Sequence, residues 1–175
     1  MKAAPNGLQR AALETTWCTV SIHAGRQGVW SCDLPPAPRQ RAMPRLRVLS
    51  VKWPLDPDPV LRRAVAYARA VLAGRTPPSL PPVHPAVFES AAPFYRSAWR
   101  ALRGIPRGAR TTYARLAARA GRPAAARAAG GACRANPVPL FLPCHRVMAA
   151  NGQWGGFSAG LPWKIHLLRL EGVGS

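Results

Sequence analysis

Five prolines stand among the ten residues from Thr76 to Pro85 (TPPSLPPVHP). Proline has no backbone N–H and a fixed φ, so neither a helix nor a central strand can run through this stretch. It reads as a linker, and it divides the chain. Residues 1–80 and 86–175 must then build their regular structure on either side. At 175 residues the chain is long enough for one large domain or two small ones.

The first part reads as a small sheet with one helix. Trp17 to His23 (WCTVSIH) and Val29 to Leu34 (VWSCDL) are β-prone runs around Gly25-Arg26-Gln27-Gly28, which predicts a hairpin. Pro35 to Pro44 is a proline- and arginine-rich loop, and Leu46 to Trp53 is a further strand candidate. Val60 to Leu72 (VLRRAVAYARAVL) has apolar residues at helical spacing and stops before Gly74, which predicts a helix. No element is assigned before Trp17. That segment has no apolar core of signal-peptide length, and no run approaches a membrane span. The four cysteines are widely spaced with no C-x-x-C pair, so a disulfide framework is not expected. A cytoplasmic, membrane-free protein is the expectation.

The second part is short helices in a strongly basic background. Phe94 to Arg103 is amphipathic and ends at Gly104 and Pro106. Thr111 or Thr112 can cap a helix over Tyr113 to Ala120, and Pro123 suits the start of another over Ala124 to Cys133. Two short helices joined by Gly-Arg-Pro fit a helix-turn-helix, and equally an ordinary helical hairpin. The formal net charge is +19, and between Ser90 and Ser175 the single acid is Glu171 against 12 arginines and one lysine. So one-sided a field attracts polyanions, with nucleic acid as the default partner. The second helix offers Ala and Gly, apart from Arg127, where a base-reading helix carries Asn, Gln, Arg or Lys. Such a face cannot read base edges. It can approach a minor groove closely, or pack closely on a neighbouring helix.

Leu142-Pro143-Cys144-His145-Arg146 follows an apolar, proline-stiffened run and precedes a glycine-rich loop. A cysteine nucleophile at neutral pH needs positive charge or a base nearby. His145, Arg146 and the basic background offer both. Adjacent side chains usually diverge, so His145 would need a bend or a bridging water to act on Cys144. Glu171 is the second anomaly. On a wheel for Leu161 to Leu170 it falls between Leu167 and Leu168 on the inward arc, at a helix C-terminus where the dipole disfavours an anion. A histidine oriented through its second nitrogen would be a suitable partner.

AARAAGGACRANPVP, LPCHRV, GGFSAGL and LLRLEG, in that order, closely resemble the DNA-repair alkyltransferases, the methylated-DNA–protein-cysteine methyltransferases. The resemblance is dense over Phe94 to Gly172 and only an outline before it. It implies an α+β fold, with a small N-terminal sheet-plus-helix domain (residues 1–80) and a winged-helix-like active-site domain (residues 86–175). It implies irreversible transfer of an alkyl group from O6 of guanine in duplex DNA to Cys144, by a monomer without a cofactor. His145 would deprotonate Cys144 through a water, oriented by Glu171. Asn136 would hold the turn that carries the active-site loop, and Tyr113 would press on the phosphate beside the lesion and protonate the departing base. Arg127 would replace the flipped nucleotide in the stack, with Ala125, Ala126, Gly130 and Arg134 also on the DNA. Pro139, Val147, Phe157, Ser158 and Ala159 would form the guanine pocket.

The chain departs from the family at three places. Phe157 stands where a tyrosine is general, Ala159 replaces a usual glycine at the pocket rim, and Arg107 takes a position that is often aromatic. Some relatives bind a structural zinc. Here Cys18, His23, Cys32 and His84 are the available ligands, but their spacing matches no zinc pattern, and core cysteines with a surface histidine are expected instead. Cys133 reads as a packing residue and His166 as a surface one. Two rival functions remain open: a non-catalytic helix-turn-helix protein that senses damage or regulates, and a cysteine hydrolase.

Overall fold

The computed structural model describes residues 5–37 and 45–173; the later part of the Pro35–Pro44 loop lies outside them. The first half is a four-stranded antiparallel sheet in the order β3-β2-β1-β4, formed by β1 (Gln9–Thr15), β2 (Thr19–Gly25), β3 (Gly28–Asp33) and β4 (Val48–Lys52). Period-two alternation sets the register. Leu13 faces Val20, Ala11 faces Ile22 and Ile22 faces Cys32, all inward, while Arg10, Glu14, Thr19 and His23 point outward. The inner face is covered by α1 (Pro59–Leu72), which starts at Asp58 with its carboxylate accepting from the Val60 N–H at 2.7 Å. Leu61, Ala64, Val65, Ala68 and Val71 recur at helical spacing and are buried on the sheet.

The proline stretch is docked rather than free. Val29 N–H donates to the Pro82 carbonyl at 2.8 Å and His84 N–H donates to the Val29 carbonyl at 2.9 Å, so residues 82–84 line the sheet edge beside β3. Pro85 then opens a short helix, α2 (Pro85–Glu89), in which the His84 imidazole accepts from the Ala86 N–H. The earlier expectation of irregular chain through Pro85 stops one residue too late, because proline is at ease in a first helical turn.

The second half holds α3 (Pro93–Arg103), β5 (Thr111–Thr112), α4 (Tyr113–Arg119), α5 (Ala126–Arg134), β6 (Val147–Met148) and α6 (Leu161–Leu170). The Thr112 hydroxyl accepts from Arg115 N–H to start α4. β5 and β6 pair in parallel, which fastens the beginning of the helix pair to the residues that follow Cys144. Both halves contribute to one continuous buried core, from Leu13 and Ile22 to Phe141 and Leu167. Cys32 N–H donates to the Pro137 carbonyl at 2.8 Å, and the Trp163 indole donates to the Pro35 carbonyl at 2.8 Å, across the same junction. His166, expected on the surface, is half-buried with its ring 4.6 Å from that of Trp17.

Candidate active site

Cys144 begins a single 3-10 turn, Cys144–Arg146, immediately after Pro143. Asn136, at the end of α5, holds that turn with every group of its amide. Its Nδ2 donates to the Leu142 carbonyl at 2.7 Å and to Cys144 Sγ at 3.2 Å, while its Oδ1 accepts from Val138 N–H at 3.0 Å. Cys144 is 2 % exposed. Burial pushes its thiol up to about 11, against the downward pull of the Asn136 hydrogen bond and of the Lys164 cation.

His145 and Glu171 are brought together although 26 residues separate them. His145 Nε2 lies 3.0 Å from Glu171 Oε1, and both side chains are 1 % exposed. A carboxylate can only accept, so Nε2 carries the proton and Nδ1 is the basic nitrogen; Nδ1 is buried without a hydrogen-bond partner among the described residues. Burial lowers the His145 pKa, Glu171 opposes it, and the ring rests neutral. For Glu171 burial acts upward, but hydrogen bonds and charge from His145 and Arg146 outweigh it and hold the carboxyl at about 2. The Gly108 N–H adds a third donor at 3.2 Å. A carboxylate at a helix C-terminus is thus stabilised by donors that converge on it from two other segments.

The sequence reading missed Lys164, and offered Arg146 as positive charge near Cys144 rather than as a partner of Glu171. Arg146 is a buried guanidinium whose Nε donates to Glu171 Oε2 at 3.0 Å, its Nη2 to Oε1 at 2.7 Å and its Nη1 to the Ile105 carbonyl at 2.6 Å. Lys164 is fully buried; its Nζ donates to the Val147 carbonyl at 2.5 Å and sits 5.9 Å from the Tyr113 ring centre. The signal was present, since Lys164 precedes Leu167 and Leu168 by three and four residues, on the same inward arc that singled out Glu171.

Cys144 opens into a cleft of about 700 Å³ lined by Tyr113, Arg127, Gly130, Cys133, Arg134 and Phe157 among others. The Tyr113 hydroxyl donates to the Gly156 carbonyl at 3.3 Å, and burial raises its pKa, so the phenol keeps its proton. Gly155 has φ +65°, and a Cβ there would lie 2.9 Å from the Tyr113 ring. Arg127 and Arg134 are exposed at the cleft. Ala125 caps α5 without a side-chain hydrogen bond, so it and Ala126 present the bare first turn of the helix. Cys133 is buried, which agrees with packing, yet it shares the cleft with Cys144.

Three residues expected in the pocket are not on this cleft. Val147 is fully buried in β6 and its carbonyl already accepts from Lys164. Pro139 and Ala159 line a separate hollow of about 260 Å³ with Cys32, Asn136 and Ser158; only Ser158 borders both. A larger groove of about 920 Å³ near the start of α1 is lined by no cysteine, serine or threonine among the described residues. Among the described residues no three His, Cys, Asp or Glu side chains gather to hold a metal ion. His84 faces Trp30 and caps α2, while Cys32 packs in β3. No described helix is long and apolar enough to cross a membrane.

Comparison with known proteins converges on this region. Residues 93–173 match the family described as 6-O-methylguanine DNA methyltransferase, DNA binding domain. A methylated-DNA–protein-cysteine methyltransferase of Salmonella typhimurium is 51 % identical over 80 residues, 46 % of this chain and 47 % of the relative. The human protein of that name is 44 % identical over 93 residues, 53 % of this chain and 45 % of its own. The chain thus aligns with about half the length of these curated relatives. A crystal structure of Mycobacterium tuberculosis OGT in complex with DNA superimposes with a TM-score of 0.70 at 28 % identity, over 91 % of this chain and 90 % of that one.

Proposed function

We propose that this chain belongs to the family whose DNA-binding domain its residues 93–173 match, the 6-O-methylguanine DNA methyltransferases, and that it removes alkyl groups from O6 of guanine in duplex DNA onto Cys144. The observation that carries the reading is a buried cysteine at the floor of a cleft, beside a neutral histidine whose far nitrogen is held by a carboxylate. The reaction is one displacement. The Cys144 sulfur attacks the alkyl carbon, the S–C bond forms as the C–O6 bond breaks, and the electron pair leaves with the guanine. The thiol proton passes through water to His145 Nδ1, and the resulting imidazolium is stabilised by Glu171. The Tyr113 phenol supplies a proton to the departing base.

Reaching O6 requires the guanine to leave the stack, at a cost of a few kcal/mol that is smallest for a damaged pair. Arg127, exposed at the cleft, takes the vacated place, while Ala125, Ala126, Gly130 and Arg134 lie against the backbone. The arginine-rich surface provides sequence-independent affinity. Phe157 and Ser158 wall the cleft, and Pro139, Val147 and Ala159 act behind that wall, through backbone and packing. Residues 86–175 carry this chemistry and residues 1–80 brace it. No cofactor takes part. Incubation with duplex containing O6-methylguanine tests the reading: methyl loss should saturate at one per protein molecule. Binding without methyl loss would favour the non-catalytic sensor, and continued turnover a hydrolase.

A further inference from the structure

The end of α6 meets the end of α1 and the turn Ile105–Gly108 within one small cluster, with Arg107 between them. Its Nη2 donates to the Leu170 carbonyl at 2.6 Å and to the Gly74 carbonyl at 3.0 Å. Leu170 is the last residue of α6 and Glu171 its C-cap; Gly74 follows the C-cap of α1. We propose that Arg107 is a positioning residue for the transfer reaction, pinning the end of α6 to the end of α1 so that Glu171 is held at His145.

The geometry around it has little slack. Gly108 (φ +76°) gives its N–H to Glu171 Oε2, and a Cβ there would lie 3.3 Å from the Glu171 carbonyl oxygen. Gly74 (φ +71°) lets the chain turn where a Cβ would come within 3.0 Å of the Leu170 side chain. Arg146 closes the other side, from Glu171 to the Ile105 carbonyl of the same turn. Tyr67 of α1 belongs to this cluster too: burial raises its pKa, Arg146 and Arg107 lower it and Glu171 raises it. The last carbonyls of a helix carry partial negative charge and have no intrahelical donors. Without a cation there, the Glu171 carboxylate would share its site with an uncompensated helix end. Arg107 does not line the Cys144 cleft. Its route to the chemistry runs through the backbone of α6, and with Tyr67 it links the N-terminal half to the relay.

The inference rests on the alkyl-transfer reading above, and the test separates the two. Single-turnover methyl transfer is measured against pH for the wild type, Arg107→Ala and Arg107→Lys, each also with Glu171→Gln. Arg107→Ala should slow transfer about tenfold at pH 7, the scale of a slightly misplaced acid–base group, with the deficit shrinking as pH rises. Arg107→Lys should recover part of it, and in the Glu171→Gln background Arg107→Ala should add nothing. A loss by the same factor at every pH, or a full further loss on top of Glu171→Gln, would overturn the inference. The 15N shifts of the His145 ring read the same geometry without substrate: they should move in Arg107→Ala towards those of Glu171→Gln, and unmoved shifts overturn the proposal. If the wild type itself transfers no methyl group, the function falls, and the ring shifts still decide whether Arg107 positions the pair.

Discussion

With its thiol pushed up to about 11 by burial, Cys144 rests protonated at neutral pH. The natural expectation from Cys-His-Glu spacing is a relay that keeps a standing thiolate near neutral pH. Burial of the sulfur works against that. The relay's task becomes removal of the proton as the S–C bond forms, and the pH dependence changes accordingly. Glu171→Gln keeps the shape but removes the charge that stabilises protonated His145. Transfer at pH 7 should fall by about ten- to a hundredfold. Recovery should come only as pH climbs towards 11, where hydroxide ionises the thiol unaided, rather than near 8.5. Rate–pH profiles of both proteins check this, and superimposable profiles would reduce Glu171 to a structural role. The same carboxyl also links stability to acid. Its folded pKa of about 2 lies below the ordinary 4.5, so its stabilisation is present above pH 4.5 and drains away as pH falls towards 2. Thermal melts across that window should decline more steeply for the wild type than for Glu171→Gln.

At the scale of elements, the small residues of α5 serve close packing, one of the two roles its sequence leaves open. Gly130 and Gly131 both border the cleft; a Cβ on Gly131 would stand 2.5 Å from the Tyr95 hydroxyl of α3, and one on Gly130 about 3.9 Å from the Tyr113 ring. Gly131→Ala should therefore cost about 1–3 kcal/mol of stability, and Tyr95→Phe, which removes the oxygen it meets, should restore most of it in a double-mutant melt. Arg127, one turn before Gly131 on this helix, is exposed at the cleft. Arg127→Ala should slow repair of duplex DNA far more than transfer from free O6-methylguanine base; equal losses on both substrates would contradict the stack-filling role. The other elements were legible to different degrees. The hairpin, α1, α3, α4 and α6 declare themselves by periodicity and caps. β1 does not, because Gln9-Arg10-Ala11-Ala12-Leu13-Glu14 is built from helix formers and becomes a strand only through its pairing with β2 and β4. Docking of residues 82–84 on β3 was equally hidden, since it depends on backbone groups that proline content says nothing about.

Across the whole molecule, the sequence separates two halves and the structure joins them through a single core. The proline stretch predicts a boundary, yet Cys32, Pro35 and Gly74 of the first half each bond to the second. Much of the site was readable because its residues are chemically out of place: a cysteine behind proline, and an inward carboxylate at a helix end. Arg146 and Lys164 were harder to see, since buried cations in an arginine-rich chain look like more of the same. The cleft walls were hardest, because Pro139, Val147 and Ala159 are assigned by resemblance, and only packing decides which side they face. What unites the scales is the claim that Cys144 is a single-use alkyl acceptor. Mass spectrometry of the intact protein after incubation with excess duplex containing O6-methylguanine tests it most directly, with peptide mapping to locate the adduct. The account predicts one added methyl group per chain, on Cys144 and absent from Cys144→Ala. An unmodified protein, or a methyl group on Cys133 in its place, would contradict it.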